Sequence, residues 1–303
     1  LHMYIYACIN FMFKFFNKYN LNISNVLFYN MVKIIAEIGI NHNGSIDQCK
    51  QMIMLAKVSG CDYVKIQKRN PDVCVPEHQK SVIRKTPWGE MTYLEYKYRL
   101  EFNEEQIKEL CEYSNQIGIK FFASVWDLDS VALMSKYTRI VKLGSPVINN
   151  LELLKATREA FDFVIMSTGM STEEEIERAV EVAKPDVIMH TNSTYPCNPT
   201  DLNLRYMEHL RSKYGEHAEI GYSGHEYGLV TTYAAVAMGA TWVERHITMN
   251  RDEFGSDQKA SIEPSGVFKL VKGIRDIEQA TQYPPGPRMQ FEGENFKKST
   301  LRK

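Results

Sequence analysis

Residues 33–44 have the sequence KIIAEIGINHNG, in which a run of apolar, mostly branched residues leads directly into a segment rich in Asn and Gly. Such a run, bounded by turn-forming residues, is typical of a buried β-strand that ends in a loop. Glu37 lies within this run, and burying an unpaired carboxylate is energetically costly. Glu37 is therefore predicted to face a polar pocket, although pairing with a lysine in the core would also satisfy it.

Seven further runs of the same kind follow, and segments with polar turns and helical periodicity separate them. In residues 172–183, for example, a hydroxyl residue and three acids occupy a predicted helix start. Alternation of strands and helices predicts a parallel sheet, and eight such units in about 250 residues match an α/β (β/α)8 barrel, also called a TIM barrel. The eight predicted strands are Lys33–Gly39, Tyr63–Gln67, Lys120–Val125, Ile140–Ser145, Phe163–Thr168, Val187–Asn192, Glu219–His225 and Trp242–Thr248.

The predicted barrel domain occupies residues 32–283. Residues 1–31 are crowded with Phe, Tyr, Asn and Ile, and we expect a non-native-looking or disordered extension there, with Met31 as the start of the protein. Residues 284–303 begin with a proline-rich segment and are predicted to form an irregular tail. The longest gap between strands contains residues 70–98, which are predicted to be a long loop over the barrel mouth.

The composition is that of an ordinary globular enzyme, with 303 residues, 44% hydrophobic residues and 24% charged residues. A formal net charge of -1 disfavours a nucleic-acid-binding protein, which usually carries a basic face. Six cysteines are scattered without a CxxC pair, so we expect neither a disulfide framework nor a zinc site. Polar residues interrupt the N-terminal apolar positions before they could span a membrane. A cytoplasmic location without membrane association is therefore predicted.

Polar side chains cluster at the ends of the predicted strands, where the catalytic groups of such barrels converge. Lys65 and Gln67 share one face of their strand because side chains alternate with a period of two. Lys142 lies within an apolar strand and needs an anionic neighbour or ligand, for which phosphate is a candidate. Hydroxyl groups at later strand ends could bind an anion or cap a helix. These polar strand-end residues are Ser145, Ser167, Thr168, Ser193, Tyr195 and Ser223.

Two histidines end neighbouring strands of the predicted barrel. His225 and His246 are therefore expected to meet at its mouth, and Glu244 shares a face with His246. A single histidine on a strand is more often a structural residue, but two facing histidines with an acid favour a metal site. Because the protein would supply only two imidazoles, water and substrate oxygen would complete the coordination. This suits a divalent metal, Mn²⁺ or Mg²⁺, acting as a Lewis acid.

Six blocks of the sequence together resemble the catalytic barrel of the N-acetylneuraminate (sialic acid) synthase family. The resemblance covers residues 32–277, and its motifs are specific only in combination. The blocks are Ala36–Gly44, Lys142–Ser145, Ser167–Met170, His190–Pro196, Ser223–His225 and Glu244–His246.

The resemblance implies a transferase that uses phosphoenolpyruvate and an amino-sugar as substrates. C3 of phosphoenolpyruvate would attack the aldehyde of open-chain N-acetylmannosamine, water would attack C2, and phosphate would leave. His225 and His246 would bind the metal. Glu37, Lys142 and Glu244 would be catalytic, with Glu37 as the acid, base or water-orienting group. The implied phosphoenolpyruvate contacts are Lys142, Ser145, Ser167, Ser193 and Ser223, and the implied sugar-side or other pocket residues are Gln67, Tyr195 and Asp257. Lys65 and Thr168 are further predicted substrate-binding residues, from their positions at strand ends.

The family's usual C-terminal antifreeze-like domain is not recognisable in this sequence, so we expect a catalytic barrel without it. Since family members pair through that domain, a homodimer is expected only from the resemblance. Two other functions stay open. One is a phosphoenolpyruvate aldol synthase of the deoxy-octulosonate or deoxy-heptulosonate type, whose metal-dependent forms use a cysteine, although Cys197 is better interpreted as a small buried residue. The other is an inactive barrel that serves as a binding protein.

Overall fold

Eight parallel strands form a closed barrel in the computed structural model, which describes residues 31–289 and 291–302. The eighth barrel strand, β10, pairs with β1 and closes the sheet. The predicted (β/α)8 barrel is therefore confirmed, and the predicted strand ends differ from the observed ones by two residues or fewer. The strands are β1 Lys33–Gly39, β2 Tyr63–Lys68, β3 Ile83–Thr86, β4 Gly89–Thr92, β5 Lys120–Val125, β6 Ile140–Leu143, β7 Phe163–Ser167, β8 Val187–Thr191, β9 Glu219–Gly224 and β10 Trp242–His246.

Helices follow the barrel strands as the periodicity predicts. The helix predicted for residues 172–183 is α8, in which the side chain of Thr172 accepts a hydrogen bond from the Glu175 amide and the side chain of Glu175 accepts one from the Thr172 amide. The α-helices are α1 Ile46–Ser59, α2 Pro71–Cys74, α3 Glu77–Lys80, α4 Tyr93–Leu100, α5 Glu104–Ile117, α6 Leu128–Met134, α7 Leu151–Ala160, α8 Glu173–Ala183, α9 Tyr206–Tyr214, α10 Val230–Ala237, α11 Pro264–Ala280 and α12 Glu292–Leu301.

Two expectations about irregular segments need correction. Residues 70–98 form two short helices, an antiparallel hairpin of β3 and β4, and part of α4, instead of an unstructured loop. The tail predicted to be irregular contains α12, an exposed helix, after a non-helical proline-rich segment. Residues 1–30 of the predicted N-terminal extension lie outside the described residues. No described helix is both long and apolar enough to cross a bilayer.

The interior of the barrel divides into two layers along the strands. Its lower layer is apolar, because large side chains from six of the eight strands fill the space at the amino end. Two residues further along the same strands, the inward-facing positions become polar, as in Ile35 to Glu37 and Trp242 to Glu244. The buried lower layer consists of Ile35, Tyr63, Phe122, Ile165, Val187, Met189 and Trp242.

Candidate active site

Four buried charged residues form the floor of the barrel mouth. Lys142 contacts Glu244 at 2.6 Å, and Lys65 contacts Glu37 at 2.7 Å. Lys65 also lies 3.7 Å from Glu244, which links the two pairs. The side chains of all four residues are 4% exposed or less. Glu244 is therefore the anionic neighbour that was expected for the buried Lys142. Glu37 fits both of its predicted environments, because it pairs with a lysine and also lines the pocket.

Hydrogen bonds orient this charged group. Lys65 donates to the Ser124 hydroxyl at 2.8 Å, and the Ser223 hydroxyl donates to Glu244 at 3.1 Å. Burial lowers the pKa of Lys142 below its usual value, and Glu244 opposes this shift. Burial disfavours ionisation of Glu244, but Lys142 and Lys65 together outweigh it and hold the pKa of this carboxyl below its usual range. The result is a compact, preorganised set of opposite charges in a desolvated setting.

Serine hydroxyls converge on one side of the charged group, around the backbone of Gly169. The Gly169 amide donates to the Ser145 hydroxyl at 2.9 Å. A methyl group at Gly169 would lie only 2.3 Å from the Ser193 Oγ and 2.8 Å from the Ser145 Oγ, so only glycine allows this close approach. The buried Ser167 hydroxyl has no hydrogen-bond partner among the described residues. This side of the cavity therefore offers polar groups suited to an oxyanion.

Two imidazoles face each other on the other side. The ring centroids of His225 and His246 are 5.3 Å apart, which confirms that these histidines meet. The Nδ1 of His225 lies 2.6 Å from the Asn192 carbonyl oxygen, which can only accept, so Nδ1 carries the proton and Nε2 keeps its lone pair. Burial, followed by the proximity of His246, lowers the pKa of His225 well below its usual value. The ring of Tyr195 packs over His225, and the two ring centroids are 4.0 Å apart.

A second acid, Asp257, lies beside the imidazole pair. Glu244 is engaged by the two lysines, whereas an Asp257 carboxylate oxygen lies 3.6 Å from the Nδ1 of His246. That buried Nδ1 has no hydrogen-bond partner among the described residues. The left-handed backbone of Gly39 also matters here, since a Cβ at this position would lie 3.2 Å from both Asp257 and the His246 ring.

An ion pair behind the barrel wall anchors both histidines. Arg245 precedes His246 and is 1% exposed, and it donates to the carboxylate of Glu226 at 3.0 Å. It also donates to the backbone carbonyl of Glu226 at 2.6 Å and to that of Gly228 at 2.8 Å. Glu226 follows His225 directly, so this network ties the loop after β9 to β10 and fixes the spacing of the two imidazoles.

The cavity that joins these groups has a volume of about 340 Å³. Thirteen of the fourteen predicted site residues line it, whereas Thr168 does not; its hydroxyl donates to the Met189 carbonyl oxygen at 3.1 Å. The predicted residues that line the cavity are Glu37, Lys65, Gln67, Lys142, Ser145, Ser167, Ser193, Tyr195, Ser223, His225, Glu244, His246 and Asp257.

Sequence reasoning missed several residues of this cavity. Arg69 donates to Gln67 at 2.6 Å, pairs with Glu101 and lies over the Trp126 ring. Its position could not be predicted, because it follows the end of β2 and depends on a partner from a distant segment. Lys97 reaches the cavity from α4. Ser124 and Thr191, in contrast, lie at strand positions that the same alternation rule would have identified.

A closed parallel barrel with a charged cavity at the carboxyl end of its strands is the architecture of a barrel enzyme. Residues 52–284 match the NeuB family. The N-acetylneuraminate-9-phosphate synthase of Mus musculus is 37% identical over 258 residues, which cover 83% of this chain and 71% of the mouse protein. The N,N'-diacetyllegionaminic acid synthase of Campylobacter jejuni is 34% identical over 257 residues, with 82% of this chain and 76% of that protein covered.

Solved structures agree with the sequence relatives. A crystal structure of N-acetylneuraminic acid (sialic acid) synthetase from Leptospira borgpetersenii superposes with a TM-score of 0.78 at 31% identity, covering 89% of this chain and 92% of that chain. The chain therefore belongs to the NeuB family. It is an enzyme of the synthase class that forms carbon–carbon bonds.

Proposed function

We propose that this enzyme condenses phosphoenolpyruvate with an N-acylated amino-sugar of the N-acetylmannosamine type, in a reaction that depends on a divalent metal. The products are a sialic-acid-type nonulosonate and phosphate. One observation carries the proposal: the buried group of two lysines and two glutamates lies between a hydroxyl-lined anion site and a pair of imidazoles. A cavity built in this way can bind an anionic donor and a polarised carbonyl acceptor side by side.

The reaction forms one carbon–carbon bond and breaks one carbon–oxygen bond. C3 of phosphoenolpyruvate attacks the acceptor aldehyde, whose oxygen gains a proton, while water adds to C2 and the C2–O bond to phosphate breaks. Lys142 and the hydroxyls around Gly169 bind the negative charge of phosphoenolpyruvate and of the departing phosphate. Glu37 is placed to exchange the proton or orient the water, because it lines the cavity and pairs with Lys65 at 2.7 Å.

His225 and His246 are the residues that would hold the metal. The available Nε2 of His225 and the unpartnered, buried Nδ1 of His246 fit this role, and Asp257 lies beside them. Among the described residues, no group of three or more His, Cys, Asp and Glu side chains could form a complete cage, so other ligands must come from water or substrate. The metal would polarise the acceptor aldehyde as a Lewis acid.

The placement of Cys197 argues against the deoxy-octulosonate or deoxy-heptulosonate reaction in its cysteine-dependent form. Cys197 is 3% exposed, its thiol lies 3.3 Å from the Asn198 carbonyl oxygen, and it does not line the cavity. Within the described part of the chain, the cavity has no cysteine among its lining residues. A metal site with two imidazoles fits the available side chains better.

Phosphate release tests the proposal. The purified protein is incubated with Mn²⁺, phosphoenolpyruvate and a panel of N-acylated hexosamines, and inorganic phosphate is measured over time. Release should require both substrates and stop when the metal is chelated. Release with arabinose 5-phosphate but with no amino-sugar would support the alternative aldol synthase. Absence of release with every acceptor would support an inactive barrel.

A further inference from the structure

A buried arginine lines the active-site cavity without a role in the chemistry described so far. Arg69 directly follows β2 and is 6% exposed. Its Nε lies 2.7 Å from a carboxylate oxygen of Glu101, and its Cζ lies 5.0 Å from the centroid of the Trp126 ring. Its Nη2 donates a hydrogen bond to the Oε1 of Gln67 at 2.6 Å. Contacts with all three side chains therefore hold the planar guanidinium in one orientation.

The carboxylate that anchors Arg69 is itself firmly held. The second carboxylate oxygen of Glu101 accepts a hydrogen bond from the Arg69 amide at 3.1 Å and pairs with Lys68 at 3.2 Å. The Glu101 side chain is 8% exposed, so the guanidinium could not leave it without uncovering a largely buried charge. Lys68 shares this carboxylate with Arg69 but does not line the cavity.

The chemistry of arginine determines how the Gln67 amide is turned. A guanidinium can only donate hydrogen bonds, so the end of the amide that faces Arg69 must be its carbonyl oxygen. The amide nitrogen therefore faces the opposite way and lies 3.5 Å from the Oε1 of Glu37. The other carboxylate oxygen of Glu37 contacts Lys65. A reversed amide would place its NH2 group against a cation and its carbonyl oxygen against a carboxylate, which is unfavourable at both ends.

This amide lies on the acceptor side of the cavity. Gln67 lies on β2, which neighbours β1, and β1 pairs with the strand of His246. Gly169 and the hydroxyls around it follow β7, which lies three strands from β2 in the other direction around the barrel. Only one long hydrogen bond engages the Gln67 amide nitrogen among the described residues. This nitrogen therefore has an N–H group available for a ligand in the cavity.

We propose that Arg69 is a positioning residue for the condensation, which turns the N–H groups of Gln67 toward the acceptor sugar. The amide then donates a hydrogen bond to an oxygen atom of that sugar, beside Glu37. Arg69 acts on the acceptor only through Gln67. This inference rests on the proposed function and adds to it a residue that determines how tightly the acceptor binds.

Steady-state kinetics of Arg69→Met test this role, with the amino-sugar that gives the fastest phosphate release as acceptor. Without the guanidinium the Gln67 amide is free to turn, so the hydrogen bond to the acceptor is weakened. The KM for the acceptor should rise about threefold to tenfold, the effect of one net hydrogen bond. The value of kcat, the KM for phosphoenolpyruvate and the bound metal should change little.

Lys68→Met is the matched control, because it removes a cation from the same carboxylate without touching Gln67. All of these quantities should stay near their wild-type values in this variant. The inference is overturned if Arg69→Met and Lys68→Met behave alike. It is also overturned if Arg69→Met raises the KM for phosphoenolpyruvate as much as the KM for the acceptor.

A double-mutant cycle tests whether Arg69 acts through Gln67. Gln67→Ala should itself raise the KM for the acceptor, and adding Arg69→Met should change it by less than about twofold further, because the two residues act as one unit. Effects that multiply would show that Arg69 acts independently of Gln67, and they would contradict the positioning role.

A second variant covers the possibility that Arg69→Met does not fold. The double variant Arg69→Met, Glu101→Gln also neutralises the carboxylate that would lose its partner, so it should restore folding. The same selective rise in the KM for the acceptor is expected. A wild-type KM for the acceptor in this folded variant would overturn the inference.

Calorimetry with N-acetylmannosamine, without phosphoenolpyruvate, separates this inference from the proposed function. Wild type and Lys68→Met should bind the sugar alike, and Arg69→Met should bind it about threefold to tenfold more weakly. That pattern, together with no phosphate release in the kinetic assay, would uphold the positioning role and contradict the proposed reaction. Equal binding by Arg69→Met and Lys68→Met would overturn the positioning role even if the condensation occurs.

Discussion

The lower and upper layers of the barrel interior lie on the same strands, yet they are built from opposite kinds of residue. Phe122 and its neighbours fill the lower layer with apolar side chains. The upper layer, two residues further along, contains the group of Glu37, Lys65, Lys142 and Glu244. The lower layer gains stability from burying apolar surface, whereas the upper layer must offset the cost of burying charge by internal pairing. The apolar residues that stabilise the fold and the charged residues of the candidate active site therefore lie only two positions apart along the same strands.

The largest effect on stability is expected in the lower layer. Phe122→Ala removes a fully buried ring that packs against Tyr63, so it should lower the free energy of unfolding by about 3–5 kcal/mol. Below the melting transition, the KM for each substrate should stay near the wild-type value. Urea denaturation and steady-state kinetics measure the two quantities. A selective rise in the KM for phosphoenolpyruvate would show that the lower layer also contributes to substrate binding, contrary to this account.

A smaller loss of stability, combined with a loss of function, is expected for Lys142→Met. The change leaves Glu244 buried with Lys65 as its remaining cation, at 3.7 Å, and should lower the free energy of unfolding by about 3 kcal/mol. The KM for phosphoenolpyruvate should rise about tenfold or more, and far more than the KM for the sugar.

The double variant Lys142→Met, Glu244→Gln sharpens this test. Neutralising Glu244 removes the uncompensated charge, so most of the lost stability should return while activity stays low. Chemical denaturation and phosphate release distinguish the two effects. If activity returned with stability, Lys142 would act only as a structural cation.

His246→Ala tests the imidazole side of the upper layer. Loss of a metal ligand should lower kcat/KM by more than about 100-fold and reduce the bound metal, because even outer partners of metal ligands contribute tenfold to 100-fold. His209→Ala removes an imidazole from an exposed helix position and serves as the control. Elemental analysis and kinetics provide the readout, and full metal content in His246→Ala would contradict the assignment.

The smallest predicted effect is a pH dependence of the free energy of unfolding. It arises from His42, which follows β1 at the upper end of the barrel. Burial, with Arg69 as a second cause, lowers the pKa of His42 from 6.5 to about 3. Between these two values the unfolded chain binds a proton that the folded protein does not. The contribution of neutral His42 to stability is therefore present above pH 6.5 and is lost as the pH falls, by about 1.4 kcal/mol per pH unit. Urea titrations at pH 5.5 and 4.5 should show nearly this slope, and His42→Leu should reduce it; an unchanged slope would contradict the burial argument.

The barrel was predictable because each strand carries its own local signal. Runs such as residues 33–39 and 163–167 are apolar, branched and followed by turn residues, so the period of the pattern is sufficient to find them. The β3–β4 hairpin was missed because its residues are largely exposed and carry no apolar alternation. Its structure depends on packing against α4, which a local pattern does not encode.

Part of the candidate site could be predicted, because the carboxyl ends of all eight strands lie at the same face of the barrel. This rule brings Lys142, His225 and His246 together without any knowledge of their contacts. It could not assign partners: the pairing of Lys142 with Glu244, 102 residues away, exists only because the sheet closes on itself. For the same reason the strand pattern did not show that Asp257 lies 3.6 Å from His246. Lys97 reaches the mouth from a helix outside the repeating strand pattern.

Mass spectrometry of the product formed from phosphoenolpyruvate labelled with ¹³C in all its carbons tests the central claim most directly. If the upper layer catalyses the condensation, incubation with metal and the amino-sugar acceptor should give one product that contains the intact acceptor and all the labelled carbons, with an equal amount of released phosphate. Recovery of the label as pyruvate, or as unchanged phosphoenolpyruvate with every acceptor of the panel, would contradict the account.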